Sequence, residues 1–101
     1  MGRYGELVAA RFLTDHGLRV VAGNVDVGRG EVDLLAMDGG ARVVVEVRTT
    51  TTGGDPIDAV GLVKRRRVRS LAGMAGASRV DLVGVGLRAE DVVIHWVPGC
   101  G

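Results

Sequence analysis

Cysteine, lysine and aromatic side chains are all scarce in this 101-residue chain. A single cysteine, Cys100, rules out an intrachain disulfide and a cysteine-based metal cluster. Tyr4, Phe12 and Trp96 are isolated from one another along the sequence, so there is no aromatic platform on which bases could stack. No apolar run approaches the ~18 residues needed to cross a bilayer. The N-terminus also lacks a basic-then-apolar leader, and a soluble, cytoplasmic setting without membrane contact is the expectation. A net charge of +1 implies no polyanionic partner by its sum, which leaves its distribution to be read.

Valine and glycine dominate instead, and the hydrophobic fraction of 47% predicts one folded domain over residues 1–101 with an aliphatic core. Gly2 to His16 reads as a helix stopped by Gly17. At about 100° per residue, Glu6, Ala9, Ala10 and Leu13 share one stripe of it, which aims the Glu6 carboxylate inward. Leu18 to Val25 reads as a strand. Thr49 to Gly54 reads as a loop, and Asp55-Pro56 as a cap and first turn opening a helix that reaches about Gly73. Lys64, the only lysine, falls within that helix's apolar stripe. Arg79 to Leu87 and Val92 to Val97 are further strands, joined by a turn at Arg88 to Asp91. Apolar residues on both faces of such strands predict a central sheet covered by helices.

The most informative segments are Gly30 to Ala36 and Val43 to Arg48, joined through Asp38-Gly39-Gly40 in what reads as a hairpin. Strand alternation puts Glu31 and Asp33 on one face, and Glu46 and Arg48 on one face, with Val32, Leu34, Val43, Val45 and Val47 on the other. If Gly39 and Gly40 form the loop, Asp33 lies across from Glu46 and Glu31 across from Arg48. Like charges opposite each other destabilise a strand pair, and a divalent cation between them would resolve the conflict. An exposed Glu31–Arg48 ion pair on a solvated face, worth ~0–1 kcal/mol, would account for the hairpin by itself. It does not account for Glu6 and Lys64, each inside an apolar stripe of a separate helix. One shared polar cleft does.

Such a cleft suits Mg²⁺ or Mn²⁺, which take one or two carboxylates and keep several waters. Asp33 and Glu46 would be the ligands, with a lysine or arginine nearby to orient water or offset phosphate charge. Lys64 to Arg69 holds five cationic residues in six positions. Of these, Arg65, Arg66 and Arg69 point to the outer side of the helix, where they could follow a nucleic-acid backbone or simply form a solvated face. His16 and His95 have no partner at metal-ligand spacing.

Taken in order, Gly5-Glu6 with Ala9 and Leu13, Asn24, Gly30 to Ala36, Val45 to Thr49, Lys64 and Arg79 to Leu82 resemble the YraN family of small predicted bacterial endonucleases. That family is similar to Holliday-junction resolvases and to the PD-(D/E)xK nucleases. The resemblance implies a restriction-endonuclease-like layered α/β/α domain with a central mixed sheet, in the order αβββαββ. It implies metal binding at Asp33 and Glu46, with Arg48 where the superfamily has its lysine, and assisting roles for Glu6 and Glu31. The implied activity is metal-dependent cleavage of branched or structured DNA. Lys64 would join Arg48 in positioning water and phosphate, and a homodimer would supply two sites for two strands. Guanidinium does not deprotonate at neutral pH, and Thr50 stands where the family often has a second basic residue. The alternative is therefore a non-catalytic nucleic-acid-binding protein on the same scaffold.

Overall fold

A helix that must end against a sheet needs its last carbonyls satisfied, and Gly17 provides the means. The computed structural model describes residues 2–51 and 69–99, and in it α1 spans Gly2–Asp15. Gly17 has φ +98°, and the Leu18 N–H bonds the Leu13 carbonyl at 3.0 Å while the Gly17 N–H bonds that of Thr14 at 3.2 Å. This is a Schellman ending, and Leu13 and Leu18 pack in one core cluster as its usual apolar contact.

Five strands follow: β1 (Arg19–Asp26), β2 (Glu31–Asp38), β3 (Ala41–Thr50), β4 (Arg79–Leu87) and β5 (Val92–Val97). They form one sheet in sequential order, antiparallel except for the parallel pair β3–β4. A parallel pair needs a crossover, and helical residues 69–74 lie between β3 and β4 in the chain. Those residues end close to the expected Gly73; the start of the expected helix and its Asp55-Pro56 cap lie outside the described residues.

Two apolar clusters cover the two faces. Ala9 and Leu13 of α1 pack with Leu34, Ala36, Val43, Val45, Val83 and Val85 on one side. Leu71 and Ala72 pack with Val32, Val44 and Val80 on the other. This is the layered α/β/α arrangement with a mixed sheet that the sequence predicts. No described helix is long and apolar enough to cross a membrane.

Two expectations need correction, and one strand's place is added: β5 lies at an edge. Thr49 and Thr50 belong to β3 rather than to a loop, because β4 continues the parallel pairing through Thr49↔Val85 and Thr50↔Gly86. β5, with apolar residues along its length, is an edge strand, while the strand buried almost throughout is β4. Val32 does not share a face with Leu34: it packs in the opposite cluster, two residues away. Strict alternation fails at Asp33, where β2 leaves its pairing with β3 after Leu34↔Val45; across from it on β1, between the pairs Gly23↔Leu34 and Val25↔Val32, Asn24 has φ +52°. Asparagine tolerates left-handed backbone better than most residues.

Candidate active site

The expected two-residue loop is present: Asp38 pairs with Ala41, and Gly39 takes φ +60°. From there the β2–β3 ladder runs to Leu34↔Val45 and stops. The next pair in that register would be Asp33 with Glu46. In place of backbone pairing, the Asp33 Oδ2 accepts the Val47 N–H at 2.8 Å. The two strands therefore part at Asp33, and its half-buried carboxylate is fixed in the opening. Glu46 stands beside it on β3, only 6% exposed, in register with Leu82 of β4.

α1 brings the third carboxylate. Glu6 is half-buried, and its pKa is raised above the ordinary carboxylate range, first by burial and then by the charge of Asp33. A hydrogen bond with the Asn24 side chain and the charge of Arg3 act the other way, and Glu31 adds a smaller upward push. Glu6, Asp33 and Glu31, from α1 and β2, thus occupy one electrostatic neighbourhood. A groove of about 430 Å³ leads from it between α1 and β1, with Glu6 and Asn24 on its wall.

The close approach of α1 depends on Gly5. A Cβ at that position would overlap the Thr49 Oγ1 on β3, so only glycine lets the helix settle where Glu6 reaches Asp33. Arg48 is exposed on the Glu46 face of β3, and the Thr50 Oγ1 further along is shielded from solvent with no hydrogen-bond partner among the described residues. Glu31 pairs in register with Asp26 of β1, and among the described residues it makes no ion pair with Arg48. The expected Glu31–Arg48 juxtaposition is lost because the ladder ends before it. Arg69 is exposed on the helical segment, while Lys64, Arg65 and Arg66 lie outside the described residues.

Among the described residues no three histidine, cysteine or acidic side chains are arranged to hold a metal. Asp33 and Glu46 offer only oxygen donors, the type taken by a divalent ion that keeps most of its waters.

Sequence reasoning did not foresee a second acidic centre. Asp81 on β4 is fully buried and accepts four hydrogen bonds. Arg79 donates two of them, Nε to Oδ1 at 2.9 Å and a terminal nitrogen to Oδ2 at 3.0 Å. Trp96 Nε1 and the Gly99 N–H supply the others, each at 2.9 Å. Arg79 also reaches Asp38 at 2.7 Å, and these carboxylates hold its pKa above the ordinary arginine value, the Asp81 hydrogen bonds most of all. The signal in the sequence was an aspartate within an otherwise apolar strand, two residues after an arginine.

A five-stranded mixed sheet between helices, with carboxylates gathered where two strands part, defines an α/β domain with a candidate acidic site. Residues 5–85 match the model of the uncharacterised protein family UPF0102, and the chain belongs to that family. It is 43% identical to a UPF0102 protein of Streptomyces griseus, over 84% of this chain and 81% of that protein. It is 37% identical to a UPF0102 protein of Leifsonia xyli, over 98% and 93%. A crystal structure of SSO0001 superposes with a TM-score of 0.52 at 15% identity, covering 96% of this chain and 50% of that one, which speaks to the fold alone.

Proposed function

We propose that this protein is a Mg²⁺- or Mn²⁺-dependent DNA endonuclease that cleaves phosphodiester bonds in branched or structured DNA. The observation that carries this reading is the Asp33 carboxylate, tied to the Val47 N–H at 2.8 Å where β2 and β3 part, next to buried Glu46. Fixing one carboxylate oxygen by a backbone donor leaves Asp33 oriented before any ligand arrives, which is the preorganisation that phosphoryl chemistry rewards. Asp33 and Glu46 hold the cation, which when bound acidifies a water and offsets charge on the phosphate. Glu6, raised in pKa beside Asp33, tunes the local charge and is itself held by Asn24. Arg48, on the Glu46 face, neutralises phosphate charge without giving up a proton. Lys64 assists it, and Arg65, Arg66 and Arg69 hold the flanking backbone.

The test is incubation of the purified protein with linear, flapped and four-way DNA in Mg²⁺, Mn²⁺ or EDTA. Cleavage of the branched substrates in metal, and its loss in EDTA, is the expected result. Arg48 in the lysine position, and the lack of a three-ligand group among the described residues, favour a second reading: a nucleic-acid-binding protein on a nuclease scaffold. That protein would bind DNA in a salt-sensitive manner with no metal requirement, and no substrate would be cut.

A further inference from the structure

The two edges of the sheet are treated differently by the sequence. β1 carries the devices that discourage a strand from pairing with another chain: a register irregularity between Val20 and Ala22, the left-handed Asn24, and charges at Arg19 and Asp26. β5 carries none of them. It pairs with β4 in unbroken register from Leu82↔Val97 to Leu87↔Val92, and its sequence, Val-Val-Ile-His-Trp-Val, has no Asp, Glu, Lys or Arg. Among the described residues no strand lies beyond it. A regular, uncharged edge of this kind is a template for another strand.

Next to that edge α1 leaves apolar surface in the open. Leu7 is 64% exposed and Val92 42% exposed. Leu7, Val8, Phe12 and Ile94 line a cavity of about 390 Å³ flanked by Arg11 and Asp15. Arg11 and Asp15 form an exposed pair at 3.2 Å within the chain.

We propose that β5 and the adjoining face of α1 form the interface between two copies of this chain. An antiparallel strand pair about a two-fold axis is self-complementary, so a second β5 can pair with the edge that no described strand covers. The same axis brings the apolar groove of each copy onto the other, and carries Arg11 of one toward Asp15 of its partner. A groove flanked by one cation and one anion is complementary to itself, whereas a partner of one charge sign would be repelled by half of it. The interface stands independently of the nuclease reading.

Sedimentation equilibrium of the full chain, from micromolar to millimolar protein, tests this. The expected mass is twice the 10.5 kDa of the chain. A Leu7→Lys, Val92→Lys variant, changed at two exposed positions and therefore still folded by circular dichroism, should raise the dimer dissociation constant about a hundredfold or more. Asp15→Arg should weaken the dimer, and adding Arg11→Asp should restore it. A monomer throughout the concentration range, or a dimer indifferent to both lysines, overturns the proposal.

Discussion

Asp81 and Asp33 are both aspartates on central strands of one sheet, and their surroundings are opposite. Asp81 is fully buried with four donors on its two oxygens, including a bidentate arginine. Among the described residues the donor to Asp33 is the Val47 N–H, and Asp33 pushes up the pKa of the nearby Glu6 carboxyl. A buried charge is tolerated when its partners surround it, so the Asp81 cluster is a structural clamp joining β4, β5 and the Gly99 turn. Like charges gathered together raise the energy of the folded state, and such clusters concentrate at functional sites. The comparison teaches that the two acids are held in opposite ways: Asp81 by four hydrogen bonds from three residues, Asp33 where two strands part and beside the Glu6 carboxyl.

The comparison breaks first, and most completely, at Asp33. Asp33→Asn keeps an oxygen for the Val47 N–H but removes the charge, so cleavage of branched DNA should fall to background. Unfolding free energy should change by less than about 1 kcal/mol, as read by urea titration. Asp81→Ala should do the reverse. It strands Arg79, the Trp96 indole and the Gly99 N–H, and should cost about 3–5 kcal/mol in the same titration. Gly5→Ala sits between the two. The added methyl meets Thr49 and lifts α1 from β3, for about 1–3 kcal/mol and a loss of activity as Glu6 moves from Asp33.

Glu6→Gln is the smallest and sharpens the picture by its pH dependence. A carboxyl with its pKa raised in the folded state binds more protons folded than unfolded between its ordinary value and the raised one, so wild-type stability falls as pH rises through that window. The glutamine variant does not titrate there. It should therefore be modestly more stable than wild type at neutral pH and should lose that advantage as pH falls below the ordinary carboxylate range, a difference that thermal melts across pH will show.

Much of this was legible from alternation and turn chemistry. The Gly39-Gly40 loop fixed the hairpin register, and that register carries Asp33 to the edge of Glu46. Gly17 announced the helix end, and the stripe of Ala9 and Leu13 gave the face that carries Glu6. What stayed hidden depended on backbone that departs from the regular pattern. Nothing in a period-2 reading anticipates that Asn24 turns left-handed, or that Val32 packs in the opposite core from Leu34. The β2–β3 ladder ends where the Asp33 side chain takes the Val47 N–H in place of backbone pairing, and that dissolves the expected Glu31–Arg48 pair. The Arg79–Asp81–Trp96 network joins residues on two strands, and only the fold brings them together.

The central claim is that the acids around Asp33 are arranged to hold a cation. Isothermal calorimetry with Mn²⁺ on the wild type and the Asp33→Asn variant tests it without requiring any substrate. Saturable binding to the wild type, abolished in the variant at unchanged stability, is the predicted result; equal heats from the two proteins, or no binding by either, would contradict it.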